Sequence, residues 1–200
     1  MNRLILATNN VHKISEMSAI LSGLSLTILS ANDFIDFPIV EETGNNLQAN
    51  AILKAWAVWD RYHIPCLADD TGLEVDYLDG APGVISARFA GPGCTYDDNN
   101  RKLLDLLKDV PENKRNARFR TVISFIDING RLESVEGTLE GHIATAPRGI
   151  HGFGYDPIFV VAGTGKTLAE FPAAEKNELS HRSRALVKIR PMIENAFKPE

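Results

Sequence analysis

The sequence predicts an α/β fold with a mixed central β-sheet and flanking helices. Three observations carry this reading. Short apolar runs alternate with amphipathic stretches through the first half of the chain. An Asn129-Gly130 pair separates two segments of alternating apolar residues in the second half, the pattern of a hairpin. No internal repeat and no long linker interrupts the 200 residues, so residues 1–200 read as one domain.

The elements follow from periodicity and breakers. Leu4-Ile5-Leu6-Ala7 predicts a buried strand that ends at Thr8-Asn9-Asn10. Ile14, Met17, Ile20 and Leu21 fall at helical spacing, which predicts a helix from Val11 to Ser22. Leu26 to Leu29 reads as a second strand. Residues 31–44 are irregular and acidic, broken by Pro38 and Gly44. Ala51, Ile52, Ala55, Val58 and Trp59 form one apolar face of a helix from Leu47 to Tyr62. Cys66-Leu67-Ala68 predicts a short strand that ends directly at Asp69-Asp70-Thr71-Gly72.

In the second half a helix is expected from Asp98 to Leu107 and a long strand from Asn116 to Ile128. Beyond the hairpin turn come a strand from Leu132 to Thr138, a separate short strand at Ile143 and another at Pro157 to Val161. His181 to Phe197 closes the chain as a helix with Ala185, Leu186, Ile189, Met192 and Ile193 inward.

Hydrophobic residues make up 44% and charged residues 24%, and the net charge is −5. The 26 acidic and 21 basic residues are interspersed, without a basic stripe. Duplex nucleic acid needs clustered Lys and Arg, so it is not the expected partner. A nucleotide needs only a few placed cations. Cys66 and Cys94 have no metal-ligand spacing, and their use fits a reducing compartment. The apolar run at the N-terminus is too short for a signal peptide, and no stretch approaches a membrane span. The expected location is the cytoplasm.

Six motifs could carry chemistry. Thr8-Asn9-Asn10-Val11-His12-Lys13 lies on a strand-to-helix turn. A helix N-terminus attracts anions, and Lys13 adds a full charge. Thr8 or Asn10 serves equally well as an ordinary cap. Asp69-Asp70 places two carboxylates at an apolar strand, which is costly without a cation or partner. Mg²⁺ favours one or two carboxylates together with phosphate oxygens. An Asx-turn with a solvated Asp fits the same residues.

Glu41-Glu42-Thr43-Gly44 adds a second acidic pair, either a completion of a metal shell or a solvated loop. Arg88, after the Pro82-Gly83 turn, suits phosphate, carboxylate or an ion pair alike. Gly149 to Pro157 is Gly-rich and carries Phe153 and Tyr155, which on an exposed loop would stack on a planar base. Asp156 would accept hydrogen bonds from a base edge, and core aromatics are the competing reading. Lys176 and Ser180-His181-Arg182 put cations at the start of the last helix, against its dipole. There they either reach a nucleotide or form a solvated face.

The order of these motifs, with Gly80-Ala81-Pro82-Gly83 and Ser86-Ala87-Arg88-Phe89 between them, resembles the Ham1-like inosine triphosphate pyrophosphatase family from residue 8 to about residue 186. The resemblance implies an elongated mixed sheet with two lobes around an active-site cleft. It implies Mg²⁺-dependent hydrolysis of ITP, dITP and XTP to monophosphate and pyrophosphate, by a homodimer that cleanses the nucleotide pool. By that likeness Thr8, Asn9, Asn10, Val11, His12 and Lys13 bind the triphosphate, and Thr71 contacts substrate. Glu41 and Asp70 lie at the metal, and Asp70 accepts the proton of the attacking water with Asp69 beside it. Phe153, Gly154, Tyr155 and Asp156 form the base pocket with Lys176, His181 and Arg182, and Arg182 is the expected donor to a purine O6.

Three positions depart from the family pattern. Ala49 stands where a Glu is frequent, Gly149-Ile150-His151-Gly152 replaces Gly-Thr-Gly-Gly, and Thr71 replaces Ser with its hydroxyl kept. Two other readings compete. The Maf-like pyrophosphatases are expected to begin with a Ser-x-Ser-x-x-Arg motif that this chain lacks. A non-catalytic nucleotide sensor would have to face phosphates with an acidic pair, which repels them unless a metal intervenes.

Overall fold

The computed structural model describes residues 2–198. In chain order the elements are β1 (Arg3–Leu6), α1 (Val11–Leu21), β2 (Thr27–Leu29), α2 (Leu47–Tyr62), β3 (Cys66–Val75) and β4 (Pro82–Gly83). They continue with α3 (Tyr96–Leu106), β5 (Asn116–Ile126), β6 (Leu132–Ile143), β7 (Phe159–Val161), α4 (Ala173–Leu179) and α5 (His181–Ala196). The strands pair in the order β2-β1-β3-β5-β6-β7, with β4 on β3. β1 runs parallel to β2 and β3, whereas β3–β4 and β6–β7 are antiparallel, so the sheet is mixed as expected.

The chain divides into two compact units. The first runs to Asp70 and resumes over Thr121–Gly137 and from Arg182 onward; the second comprises Thr71–Arg120 and Thr138–His181. In the first unit strand alternation builds two cores. Leu4, Leu6 and Leu67 pack with Met17 and Leu21 of α1 and with Ala185, Leu186, Ile189 and Ile193 of α5. Ile5, Ala7, Cys66 and Ala68 pack instead with Ala55 and Val58 of α2. Helices therefore cover both faces, which explains the unbroken apolar runs in these strands. Cys66 and Cys94 are free thiols, and burial pushes the Cys66 thiol up to about 12.

The second unit has its own core of Leu73, Val75, Leu103, Leu107, Phe119, Leu139, Ile143, Ile158, Phe159 and their neighbours. Buried Arg115 braces it. Its guanidinium donates to the carbonyls of Val110 (3.0 Å), Ala144 (2.9 Å) and Leu107 (2.6 Å). The Leu107 and Val110 carbonyls lie in the turn after α3, where Arg115 adds a second donor to the Leu107 carbonyl, which also accepts from the Val110 amide at 2.9 Å.

Five expectations are corrected. β3 does not end at Asp69 but continues to Val75, because Leu73 and Val75 have an apolar core to enter. The strand expected from Leu132 to Thr138 and the one at Ile143 are a single strand, β6. It passes β7 so closely that a Cβ on Gly141 would meet the Val160 carbonyl oxygen at 2.2 Å. α3 starts at Tyr96, ahead of Asp98, because Thr95 and Asp98 form a reciprocal capping box. Asp156–Ile158 is a 3-10 turn, and β7 begins only at Phe159. α4 has no counterpart in the sequence reading.

Replacing Arg115 by Met, which keeps the apolar stem, should destabilise the fold by about 3 kcal/mol, since several buried carbonyls lose a donor. Urea denaturation of the variant measures this; a loss below about 0.5 kcal/mol would mean that the bracing is idle.

Candidate active site

In β3, successive side chains leave the strand on opposite faces. Asp69 shares the face of Leu67 and Asp70 the face of Ala68. The acidic pair, adjacent in sequence, is thereby divided between the α1/α5 layer and the α2 layer.

Asp69 is buried and enclosed by cations. Lys13 Nζ donates to its carboxylate at 3.0 and 3.1 Å. Arg182 Nε and Nη2 both donate to Oδ2 at 3.3 Å, and Arg182 Nη1 pairs with Glu16. Burial opposes the charge of Asp69, but Lys13, Arg182 and Lys54 outweigh it and hold the carboxyl well below its ordinary range. Burial pulls the Lys13 ammonium down, with Asp69 resisting. Two carboxylates and two cations balance in this group.

Asp70 has different company. Lys54 Nζ lies 2.8 Å from Asp70 Oδ1 and 3.0 Å from Glu42 Oε1. Asn50, fully buried on α2, donates from Nδ2 to Asp70 Oδ2 at 3.2 Å. Its Oδ1 accepts from the Gly44 amide at 2.7 Å. Burial raises the Asp70 carboxyl above its ordinary value, Lys54 opposes this, and Glu42 adds to it. Lys54 is pulled down by burial but held above its usual range by Asp70, Asp69 and Glu42. Two carboxylates share one cation here, so this group carries a net negative charge.

The Thr8–Lys13 segment is built as a helix entrance. Asn10 caps α1, its Oδ1 accepting from the His12 amide at 3.0 Å and the Lys13 amide at 3.3 Å. The Thr8 hydroxyl accepts from the Asn10 amide at 3.2 Å. Asn9, Val11 and His12 are exposed. Glu41 is exposed too, and its neighbour Glu42 is the one that reaches Lys54. Among the described residues no three His, Cys, Asp or Glu side chains converge on one point. The oxygen donors around Asp70, with their surplus negative charge, nevertheless fit a hard divalent cation.

The second unit holds the Gly-rich loop. Asp156 Oδ2 accepts from the Phe153 amide at 2.9 Å and from Lys176 Nζ at 2.6 Å. Lys176 Nζ also lies 4.9 Å from the centroid of the Phe153 ring, within cation–π reach. Gly152 has φ +76°, and a Cβ there would stand 2.0 Å from Asp156 Oδ2, so the loop requires glycine at this position. Asn100 Nδ2 donates to the Gly154 carbonyl at 3.0 Å. Ile150 and His151 are held through their backbone amides, both donating to the Ala169 carbonyl. The side chains of Ile150 and His151 are exposed. His181 is buried with its ring stacked on Phe119 at 4.6 Å. Thr71 is half-buried on β3.

One expected placement changes. Tyr155 was expected on an exposed loop, stacking on a base; it is a core residue whose hydroxyl donates to the Ser86 carbonyl at 2.9 Å. The guanidinium of Arg182, the expected donor to a purine O6, lies in the first unit. It is buried, and three of its nitrogens face Asp69 and Glu16. The sequence reading passed over Lys54, Asn50 and Glu16. Lys54 and Asn50 had a signal: they stand four residues apart on α2, one turn of a helix, directly after the acidic loop.

Replacing Asp69 by Asn leaves Lys13 and Arg182 buried with only Glu16 to offset them, a loss of about 3–5 kcal/mol for a broken buried pair. A carboxyl whose folded pKa is depressed stabilises the fold above its unfolded pKa, and this contribution is lost as pH falls through the acidic range. Thermal melts of the metal-free proteins from pH 7 down to pH 3 should thus show the unmodified chain losing stability more steeply than Asp69→Asn. Parallel curves would refute the bracket.

Comparison with known proteins adds to this geometry. A family model described as the Ham1 family matches residues 4–192. The chain is 47% identical over 190 residues to the dITP/XTP pyrophosphatase of Geobacter sulfurreducens, covering 95% of this chain and 96% of that protein. It is 48% identical over 195 residues to the dITP/XTP pyrophosphatase of Elusimicrobium minutum, covering 96% and 99%. A solved HAM1 protein from Coxiella burnetii superposes with a TM-score of 0.87 at 38% identity, over 98% of this chain and 100% of that one.

Proposed function

The chain belongs to the Ham1 family, and from that premise we propose that it hydrolyses non-canonical purine nucleoside triphosphates (ITP, dITP and XTP) to the monophosphate and pyrophosphate. The relatives named above support the reaction. The observation that carries the assignment to residues is the division of Asp69 from Asp70: one carboxylate is saturated by cations, the other is raised and lies in an electronegative group.

Water attacks the α-phosphorus, an oxygen–phosphorus bond forms there, and the bond to the bridging oxygen breaks so that pyrophosphate leaves. Asp70 takes the proton of the attacking water. A carboxyl with a raised pKa is a stronger base than an ordinary one. Asp69 serves in another way, by holding Lys13 and Arg182 in place. Lys13 and the N-terminus of α1, with Thr8, Asn9, Asn10, Val11 and His12 around it, bind the triphosphate. Mg²⁺ is the expected metal, held by Asp70 with the Glu41-Glu42 loop, and it would screen phosphate charge during the displacement.

The second unit binds the base. Phe153 supplies the stacking face, and Gly154 and Asp156 shape the loop around it. Lys176, beside the Phe153 ring, joins this pocket, with His181 and Thr71 as further substrate contacts and Arg182 as the donor to O6. Such a pocket rewards O6 and penalises the exocyclic amines of adenine and guanine, because a buried polar group left unpaired is costly. Both units are read as one catalytic domain, acting in the cytoplasm as a homodimer. Among the described residues no helix is long and apolar enough to cross a membrane.

A panel of ITP, dITP, XTP, ATP and GTP, assayed for pyrophosphate with Mg²⁺ omitted and restored, tests the reaction. Release confined to ITP, dITP and XTP and dependent on Mg²⁺ is the expected result; nucleotide binding without any release would favour a sensor. Asp70→Asn should lose nearly all turnover yet still bind nucleotide. Turnover within about tenfold of the unmodified enzyme, ~1.4 kcal/mol of barrier, would remove Asp70 as the base.

A further inference from the structure

Asn50 is a polar residue with no solvent exposure, in a helix whose neighbouring buried positions, Leu47, Ala51, Ala55 and Val58, are apolar. A buried carboxamide is costly unless its oxygen and nitrogen are both satisfied. Both are. The Gly44 amide can only donate, so the atom 2.7 Å from it is the oxygen. Asp70 Oδ2 accepts, so the atom 3.2 Å from it is the nitrogen. The two partners thus fix which way the amide points.

These two partners belong to different parts of the candidate site. Gly44 ends the acidic loop that carries Glu41 and Glu42, and Asp70 is the proposed base. Gly44 also sits close: a Cβ there would stand 2.5 Å from Asn50 Oδ1 and 2.8 Å from the Ala49 Cβ. Lys54, one turn further along α2, repeats the link by bonding both Glu42 and Asp70. Unlike Lys54, Asn50 carries no charge, so it sets orientation without altering the charge balance.

We propose that Asn50 is a positioning residue that aims the Asp70 carboxylate and ties the acidic loop, at Gly44, to the same side chain. It rests on the function assigned above. Misalignment of Asp70 and release of the loop are then two consequences of losing one carboxamide.

Three variants separate the two links. Asn50→Asp keeps an acceptor for Gly44 but turns a carboxylate toward Asp70. Asn50→Ala removes both bonds. Gly44→Ala leaves Asn50 and Asp70 unaltered in sequence but pushes the carboxamide away. Turnover should fall about 10- to 100-fold in all three, the scale of a lost hydrogen bond to a charged group. The loss should lie in kcat, with KM for ITP within about threefold, because the triphosphate cations are untouched. Hydrogen exchange of the Gly44 amide, measured on the metal-free protein, should stay slow in Asn50→Asp and become fast in Asn50→Ala.

Asn50→Asp and Gly44→Ala carry the test should Asn50→Ala fold poorly. Turnover within twofold of the unmodified enzyme in Asn50→Asp, or a loss confined to KM, would overturn the aiming of Asp70. Fast Gly44 exchange already present in the unmodified protein would overturn the tether. An unmodified protein that releases no pyrophosphate from any nucleotide would overturn the assigned function instead, and the exchange measurement would still decide the tether.

Discussion

The alternation of one β-strand governs this site. Had β3 ended at Asp69, the two carboxylates would have shared a solvated turn and repelled each other. Because the strand continues to Val75, its pleat sends Asp69 toward α1 and α5 and Asp70 toward α2. Each carboxylate then meets a different set of partners, and the two pKa values move apart. Separation of that kind lets two identical side chains take different roles.

The two groups differ in charge, and the difference decides what each can do. Around Asp69, Lys13 and Arg182 face Asp69 and Glu16. That set is neutral and largely desolvated, which suits a fixed frame for holding cations. Around Asp70, Lys54 stands between Asp70 and Glu42, and Glu41 lies next in the chain. This set retains negative charge and partial access, which suits a metal and a water. The Gly-rich loop of the second unit obeys the same rule of paired burial: Asp156 and Lys176, each with 4% side-chain exposure, neutralise one another at 2.6 Å.

Much of the fold was legible in the chain. The apolar runs of β1 and β3, the helical spacing of α1, α2 and α5, and the Asn129-Gly130 turn each depend on local periodicity, and each stands close to where it was expected. What escaped was non-local. α4 is a seven-residue helix with too few turns for a periodic signal. The extension of β3 depends on the core that receives Leu73 and Val75, and the union of β6 depends on the close approach of β7 at Gly141.

The site divides in the same way. Residue types and their order brought forward Lys13, Asp69, Asp70, the Phe153 loop, Lys176 and Arg182, because chemistry at phosphates and metals restricts which side chains will serve. The sequence could not tell which carboxylate is neutralised, since that depends on the cations that α1, α2 and α5 bring to each face of β3. Nor could it show that Tyr155 turns into the core while Arg182 turns to Asp69. Local propensity determines the elements and the inventory of chemical groups. Burial and Coulomb interactions between groups distant in sequence, up to 113 residues apart for Arg182 and Asp69, exist only once the chain has folded, and they assign each group its task.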